Sequence, residues 1–571
     1  MIGWRWGTAA PTRSVDADGC EIWDLDGGRL PDGRALDESL TDFRAWVDAW
    51  STGCTGGASC TWHCPASWRG AAAAPWIERG ARIAALGCAL KSIPPRARIV
   101  VVTRDPVLGR LARRLVGVSG QLGDRVRVIA DCTASMRLRS RLEPLLLTLW
   151  WILTSGCRLL LRRRVATPGS LDLLLLEPLV AGAMSPTRHN WGDFDPTGGR
   201  QRCKRIEVPI GFGLRIREAR RAAASIPGAA LPEDLAALVP LLKASLSPMW
   251  AVRSWPREAV YRGVDLAGWS RVMRHRLCVS TTLQAAAFVH AAVLSLRPSV
   301  RQIEAASCWF ENQPQERAFT MAVRAAYPEC AIDGFLLFHF AACSHGAILP
   351  THRDHEAGCI PDIVHCCGSM QRDWLSRTCP WVSFVVGPAG RFPVAPLTWS
   401  PAHQVALIVL PSLDRAAVPM IDIAAEAAHR IPRGWVIRIR AHPANGAAVR
   451  ERARASALPL DLGGSLEKSI AECSIVAGAG SSGVVLARAM GWPVTVLAPD
   501  AVPNMDPFPP GHGLTGVSVA TRADEFVAAI NAVAAQQRPL PVEPSLFADG
   551  SGVETLLIGH HPPAAATGVT R

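Results

Sequence analysis

Two short polar motifs near the end of the chain are candidates for binding or catalysis, and each follows an apolar run that predicts a strand. They are His442-Pro443 and Ser481-Ser482. A histidine at a strand's carboxyl end can donate to a phosphate oxygen, and Pro443 fixes the turn that aims it. Ser481 is expected to cap the helix that follows, leaving first-turn N–H groups and the Ser482 hydroxyl to face an anion. Together the motifs predict a nucleotide-phosphate site.

The surrounding residues fit that site. Gly478 and Gly480 allow a sharp turn after the predicted strand Ile475–Ala477, and a helix is predicted over Gly483–Met490. Arg440 ends the preceding strand and adds a cation close to the histidine. Alone, the histidine fits a surface turn and the serines fit a plain helix cap. Their position at the ends of neighbouring parallel strands makes the pair specific.

The elements that must position these residues form an α/β pattern. Strand, helix and strand alternate from Val405 onwards, after a segment rich in proline and glycine, Gly387–Ser400, which predicts an interdomain linker. We therefore expect an N-terminal Rossmann-like domain over 1–390, a C-terminal one over 401–540, and a loose tail over 541–571. Two such domains face a central cleft, where ligands bind.

In the N-terminal half, strands are predicted at Arg96–Thr103, Arg125–Ala130 and Leu171–Leu176. Further on, Asp333-Gly334 is predicted as a turn that precedes a strand over Phe335–Phe340. The alternation of strands and helices indicates parallel sheets.

The most apolar stretch is Leu142–Leu161, with arginines on both flanks. Its uncharged run, Pro144–Cys157, is shorter than the roughly 20 residues that a membrane-spanning helix needs. Two interpretations stay open: a core helix with solvated ends, or an interfacial helix whose basic flanks meet anionic lipid.

The composition limits the class of protein. The chain has 571 residues and a net charge of +13 carried almost wholly by dispersed arginine, which does not predict a nucleic-acid partner. The 17 cysteines show no zinc spacing and suit reduced thiols in the cytoplasm. Since the first residues contain no apolar signal-peptide core, we expect a cytoplasmic protein, with attachment to the inner face of the cytoplasmic membrane as the finer expectation.

The order RxHP, acidic helix, then GSSG–helix–GWPV resembles the C-terminal domain of GT-B glycosyltransferases that build bacterial surface polysaccharides. That set includes sialyl-, polysialyl- and Kdo transferases. Upstream, ENQPQERAF and PDIVHCCGSMQRDWL resemble the N-terminal half of the same group. The resemblance implies that the donor nucleotide is held by His442, Pro443, Gly480, Ser481 and Ser482, with Arg440 beside them.

The resemblance also implies a general base. The family's acidic-acidic-Gly motif is matched in part, because Ile332 precedes Asp333-Gly334. Glu311, which opens ENQP after a predicted strand, is the preferred base, with Glu316 and Asp333 behind it. Many GT-B enzymes hold ribose with a glutamate at the place that Leu486 or Ala487 fills here, which favours a cytidine nucleotide.

The expected activity is an inverting, metal-independent transfer of a sugar from a nucleotide donor, CMP-linked, to a surface polysaccharide or lipid-linked acceptor. No cofactor is expected beyond this co-substrate, and Asp193-Phe194-Asp195 has only the spacing of a metal motif. The alternatives are a CDP-polyol phosphotransferase and a non-catalytic, membrane-associated scaffold of polysaccharide assembly. A sugar-nucleotide epimerase would need more cleft carboxylates than the sequence supplies.

Overall fold

A computed structural model describes residues 13–547 with gaps, the longer ones being 53–74, 119–124, 180–204, 340–348 and 390–397. Residues 1–12 and 548–571 lie outside it. The polar loop Arg188–Pro196, with its Asp193-Phe194-Asp195, and most of the linker Gly387–Ser400 fall in these gaps.

The first sheet has four strands in the order β1-β2-β3-β4, namely β1 Arg13–Val15, β2 Glu21–Asp24, β3 Ile99–Thr103 and β4 Val126–Ala130. The first pair is antiparallel and the others are parallel. Its helices are α1 Leu36–Thr52, α2 Pro75–Lys91 and α3 Pro106–Val118. A long helix, α4 Ala134–Leu160, then leads to the second sheet.

The second sheet is parallel, with the order β12-β11-β10-β9-β5-β6. Its strands are β5 Ser170–Leu179, β6 Arg205–Gly211, β9 Gln302–Trp309, β10 Ala331–Leu336, β11 Ile363–Cys366 and β12 Ser383–Val386; β7 Val260–Tyr261 and β8 Val264–Asp265 form a separate hairpin. The helices are α5 Ile216–Ala224, α6 Pro232–Leu235, α7 Leu238–Arg253, α8 Ala267–Cys278, α9 Thr281–Leu296, α10 Pro314–Ala326, α11 His352–Glu356 and α12 Ser369–Thr378.

The third sheet is parallel, with the order β14-β13-β15-β16-β17. Its strands are β13 Val405–Val409, β14 Val436–Arg440, β15 Ile475–Gly478, β16 Val494–Leu497 and β17 Val517–Ala520. Its helices are α13 Asp414–Ala427, α14 Ala447–Ala455, α15 Leu466–Ala471, α16 Ser482–Ala489 and α17 Ala523–Ala534. The central strands are apolar throughout because helices cover both faces of the sheet.

Both large sheets are doubly wound, and each has one point where the strand order reverses. In the second sheet the reversal lies between β5 and β9, and in the third it lies between β13 and β15. Ligands of open α/β sheets bind outside the carboxyl ends of the strands at this point. The loops after β9 and β15 are therefore the places to look for a site.

The carboxyl edges of these two sheets meet. The Ser482 hydroxyl, just after β15, donates to the backbone oxygen of His339, just after β10, at 3.4 Å. The first sheet also reaches the third, because Glu78 on α2 forms an ion pair with Arg415 on α13. The predicted α/β class with parallel sheets is confirmed. The sequence predicts one unit over 1–390, and the described part of that range holds two large sheets and a separate hairpin.

A segment of residues 538–547, here called the C-terminal strap, crosses between the second and third sheets. Arg488 on α16 donates to the Pro541 oxygen at 3.0 Å, and the Met370 N–H on α12 donates to the Ser545 oxygen at 2.9 Å. Leu546 and Phe547 are buried. The sequence predicts a loose tail over 541–571, and this is wrong for residues 541–547. Their backbone groups form hydrogen bonds with both units, and two of their side chains are buried.

Two local predictions are also corrected. Asp333-Gly334 is not a turn but lies inside β10, in register with Ile363 and Val364 of β11. Gly334 fits there because a side chain would press on Phe310 and Pro361, with a Cβ 2.9 Å from the Pro361 ring. The apolar helix begins at Ala134, earlier than predicted, where Thr133 caps it.

Among the described residues, no single helix is long and apolar enough to cross a membrane. The helices α8 and α9, bent by 46° at their junction, pass that test together on length and composition. Most side chains of α9 are buried in the protein.

Candidate functional site

The serine pair lies at the reversal point of the third sheet. Gly478 ends β15 so close to β13 that a Cβ would sit 2.4 Å from the Val409 backbone oxygen. Gly480 then adopts φ +57°, a left-handed conformation that glycine accepts without steric cost. Its N–H donates to the Met505 oxygen at 2.6 Å. These contacts fix the place where α16 begins.

Ser481 is the N-cap of α16, as predicted. Its hydroxyl accepts from the Gly483 N–H at 3.2 Å, and its backbone oxygen accepts from the Val484 N–H at 3.1 Å. Two of the first-turn N–H groups expected to face an anion are thus already bonded to Ser481. The Ser482 hydroxyl, which touches His339, is the side-chain group that α16 presents to the second sheet.

His442 lies exposed just after β14, in a loop that is tied to the loop after β13. The prediction that His442 and the serine pair follow neighbouring strands is wrong, because β13 lies between β14 and β15. Asn445 accepts from the His442 N–H at 2.8 Å and donates to the Pro411 oxygen at 2.9 Å. Asp414 in turn accepts from Asn445 and from the Gly446 N–H. Neither Asn445 nor Asp414 was predicted from the sequence, although the Asn-Gly pair three residues after the histidine indicates a turn there.

The same loop sets the tautomer of the imidazole. The Ala444 N–H donates to His442 Nδ1 at 3.1 Å. Because Nδ1 accepts a hydrogen bond, the neutral ring carries its proton on Nε2, which is then the donor. A pocket of about 410 Å³ opens beside this loop, lined by Asn445, Gly446 and the Arg450 side of α14.

Arg440, at the end of β14, bonds to the segment that leads into α15 and to α15 itself. Its guanidinium donates to Asp461 at 2.9 Å, to the Ser469 hydroxyl at 2.7 Å and to the Gly464 oxygen at 2.9 Å. These contacts brace the segment before α15. Pro443, beside His442, is exposed.

Glu311 lies at the reversal point of the second sheet, directly after β9 and Phe310. It is half-buried, and its Oε1 accepts from the Trp309 indole N–H at 2.8 Å. The next residue, Asn312, is fully buried with φ +55°, and neither of its side-chain polar atoms has a partner. The preferred base therefore stands where a ligand of this sheet would bind.

The two other candidate carboxylates have structural partners. Glu316 accepts from the Glu311 and Gln313 N–H groups and forms the capping box of α10. Burial, with the nearby Glu311 charge adding to it, raises the pKa of Glu316 well above its usual value. Asp333 is buried within β10 and accepts from His365 Nε2 at 3.2 Å. Within the described residues, no group of three or more His, Cys, Asp or Glu side chains could hold a metal ion.

No protein-family model matches this chain, and no curated protein does. Among solved structures it is similar to the S. aureus MnaA–UDP complex, with 9% identity over 66% of this chain and 92% of that one (TM-score 0.40). A UDP-GlcNAc 2-epimerase from Neisseria meningitidis bound to UDP-GlcNAc matches at 11% identity, 66% and 97% coverage and TM-score 0.37. The calicheamicin glycosyltransferase CalG4 matches at 13% identity, 64% and 90% coverage and TM-score 0.36.

Proposed function

We propose that this chain is a glycosyltransferase that moves a sugar from a CMP-linked donor to a surface polysaccharide or lipid-linked acceptor. One observation carries the proposal: the carboxyl edges of two doubly wound sheets meet at Ser482 and His339. His442 stands at one edge, and Glu311 stands at the reversal point of the other. A cleft between such edges can hold a nucleotide on one side and an acceptor on the other.

The proposed reaction inverts the anomeric carbon. The Glu311 carboxylate takes the proton of an acceptor hydroxyl, whose oxygen forms a bond to the anomeric carbon. The bond from that carbon to the phosphate oxygen breaks, and its electron pair leaves with the nucleotide. His442 Nε2–H stabilises the charge on the leaving phosphate, and the Ser482 hydroxyl does so after its O–H turns from the His339 oxygen to the phosphate. No step in this scheme uses a metal, and the enzyme acts in the cytoplasm.

The cytidine preference rests on α16. Leu486 and Ala487 are fully buried, so this helix offers no carboxylate there to hold a ribose. Thermal-shift measurements with CMP-, CDP- and UDP-sugars test the preference. A ligand at a hundred times its Kd stabilises the folded state by about 2.7 kcal/mol. A shift with UDP-sugars alone would overturn the CMP assignment, and no shift with any of them would favour the scaffold.

The phosphate role of His442 is tested by His442→Ala. Loss of one donor to a developing charge costs about 10²–10³ in kcat. His403→Ala is the matched control, because that histidine is also exposed but precedes β13, at the opposite edge of the same sheet. Equal turnover in both variants would remove His442 from the site.

The base is tested by Glu311→Gln, for which we expect kcat to fall by about 10²–10⁴. Glu304→Gln on the exposed amino half of β9 is its control. Product analysis separates the rival transferase, because a CDP-polyol enzyme would transfer a phosphoalcohol and a glycosyltransferase would transfer a sugar.

A further inference from the structure

Two neighbouring helices carry most of the exposed apolar surface of the described chain. Of its 23 exposed large apolar side chains, ten lie on α4 and five on α7. Those on α4 recur every three or four residues from Leu138 through Leu142, Leu145 and Leu149 to Leu153, and Leu160 follows two turns later. They form one stripe that runs about 33 Å along the helix. We call the exposed sides of α4 and α7 the apolar face.

The side of α4 that faces the protein makes polar contacts, beside the half-buried Leu147, Trp151 and Leu159. Ser155 is buried and bonded to Gln284 of α9, and Glu143 forms an ion pair with Arg276 of α8. Arg158 reaches the buried Glu233 at 3.9 Å. A surface helix of a protein in water places its apolar stripe inward instead. This inverted arrangement indicates that the outer side of α4 meets an apolar medium.

The neighbouring helix α7 also exposes a row of apolar side chains. Leu238, Leu242, Leu246 and Met249 are exposed at helical spacing, while Leu241 and Ala244 pack inward against α9. Exposed apolar surface of this extent on two packed helices marks an interaction site.

The charges around the apolar face are positive. Arg141 and Lys243 are exposed on the two helices, and Arg163 is exposed just beyond the end of α4. Glu143 is the single acidic residue in the sequences of α4 and α7, and its carboxylate is held by Arg276. A second copy of this chain would bring like charges together across a two-fold axis. Anionic headgroups above an apolar layer complement both features.

We propose that the apolar face is a docking surface for a bilayer with anionic lipid, on which α4 and α7 lie parallel to the membrane plane. The apolar side chains enter the boundary between headgroups and acyl chains, and Arg141, Lys243 and Arg163 meet phosphate. This surface does not depend on the proposed activity, since a catalytically silent chain would keep it.

The test is co-sedimentation of the full chain with vesicles of phosphatidylcholine alone or with about 30 mol % phosphatidylglycerol. The variant replaces Leu145, Leu149 and Leu153 by glutamine, which keeps helix propensity on an exposed stripe. The control replaces Val519 and Val542, exposed apolar residues outside the apolar face, by glutamine. We expect the triple variant to lose about a hundredfold in partition coefficient and the control to match the wild type.

A charge arm uses Arg141→Gln with Lys243→Gln. We expect each neutralised charge to weaken binding to the anionic vesicles by about fivefold, with no change on neutral vesicles. Unchanged binding in the triple variant would overturn the proposal. The proposal would also be overturned if the wild-type chain bound neither kind of vesicle. It would likewise be overturned if light scattering showed a wild-type dimer and the triple variant were a monomer. Circular dichroism confirms that each variant is folded, and none of these outcomes depends on turnover.

Discussion

The docking of the C-terminal strap can be disturbed by one methyl group. Gly368 caps α12 with φ −161°, a conformation that any residue adopts. A Cβ at this position would lie 2.3 Å from the Leu546 oxygen and 2.4 Å from the Ser545 oxygen, both backbone atoms. Gly368→Ala must therefore push the strap away without straining its own backbone.

The loss in docking free energy caused by Gly368→Ala is estimated from the contacts that the strap would lose. Two hydrogen bonds, from Met370 N–H to Ser545 and from His339 Nε2 to Leu546, contribute about 1 kcal/mol each. Burial of Leu546 and Phe547 contributes about 1.5–3 kcal/mol each. Freeing the last four residues of the strap returns about 4–6 kcal/mol of conformational entropy. We expect a net loss of about 2 kcal/mol.

The assay is limited digestion with chymotrypsin. The measured quantity is the rate of cleavage after Phe547, a residue that is 2% exposed in the docked strap. A loss of 2 kcal/mol raises the undocked population, and with it the cleavage rate, by roughly thirtyfold. Gly169→Ala is the control, because nothing lies within 4 Å of a Cβ there. Equal cleavage of the two variants would show that the added methyl group does not displace the strap.

Three further predictions concern buried polar groups and the helix cap. Burial lowers the pKa of His339 to about 4; the folded state therefore binds fewer protons than the unfolded one, and we expect the free energy of unfolding to drop by about 3 kcal/mol as pH falls from 6.5 to 4. Urea titrations should show this drop, and His339→Gln should flatten it. Asp354→Asn breaks the buried ion pair with Arg317 and should cost about 3–5 kcal/mol, whereas adding Arg317→Met should recover part of that loss. Ser481→Ala should cost about 1 kcal/mol and Ser481→Gly a few tenths, measured by urea unfolding; equal losses would argue against the cap.

The strands that the sequence predicted well are the buried parallel ones. The predicted strands Leu171–Leu176 and Ile475–Ala477 match parts of β5 and β15 closely, because central strands covered on both faces are apolar almost throughout. The cap at Ser481 was predictable for a similar reason, since it depends on the residue types next to it. Local chemistry was enough in these cases.

The failures are cases where distant residues decide. Asp333-Gly334 has the composition of a turn, yet Gly334 is required by the packing of Phe310 and Pro361 against the strand. The spacing of residues also did not show that Glu316 caps a helix or that Arg440 holds a loop. In a sequence, a charged residue with a structural partner cannot be told from one that is free to bind a ligand. Asp333, like Glu316, is held in a structural contact, and the roles of the other candidate site residues stay predictions.

The apolar helix shows a different limit. Its existence was evident from Leu142–Leu161, but the choice between a core helix and an interfacial one depends on which side packs inward. Only the contacts of Glu143 and Ser155 reveal that the inward side makes polar contacts. Hydropathy along the chain contains no such information.

The C-terminal strap has a consequence for how the protein is made. Its partners, His339 and Gly368, are translated long before Leu546, and all three sheets leave the ribosome ahead of it. Each sheet can fold during synthesis, but the contact that joins the second sheet to the third through the strap cannot form until translation has passed Phe547. The strap therefore fixes the relative position of the two sheet edges around Ser482 only after both sheets have been synthesised. We expect a nascent chain stalled before residue 538 to contain folded sheets that lack the strap contacts between the second and third sheets.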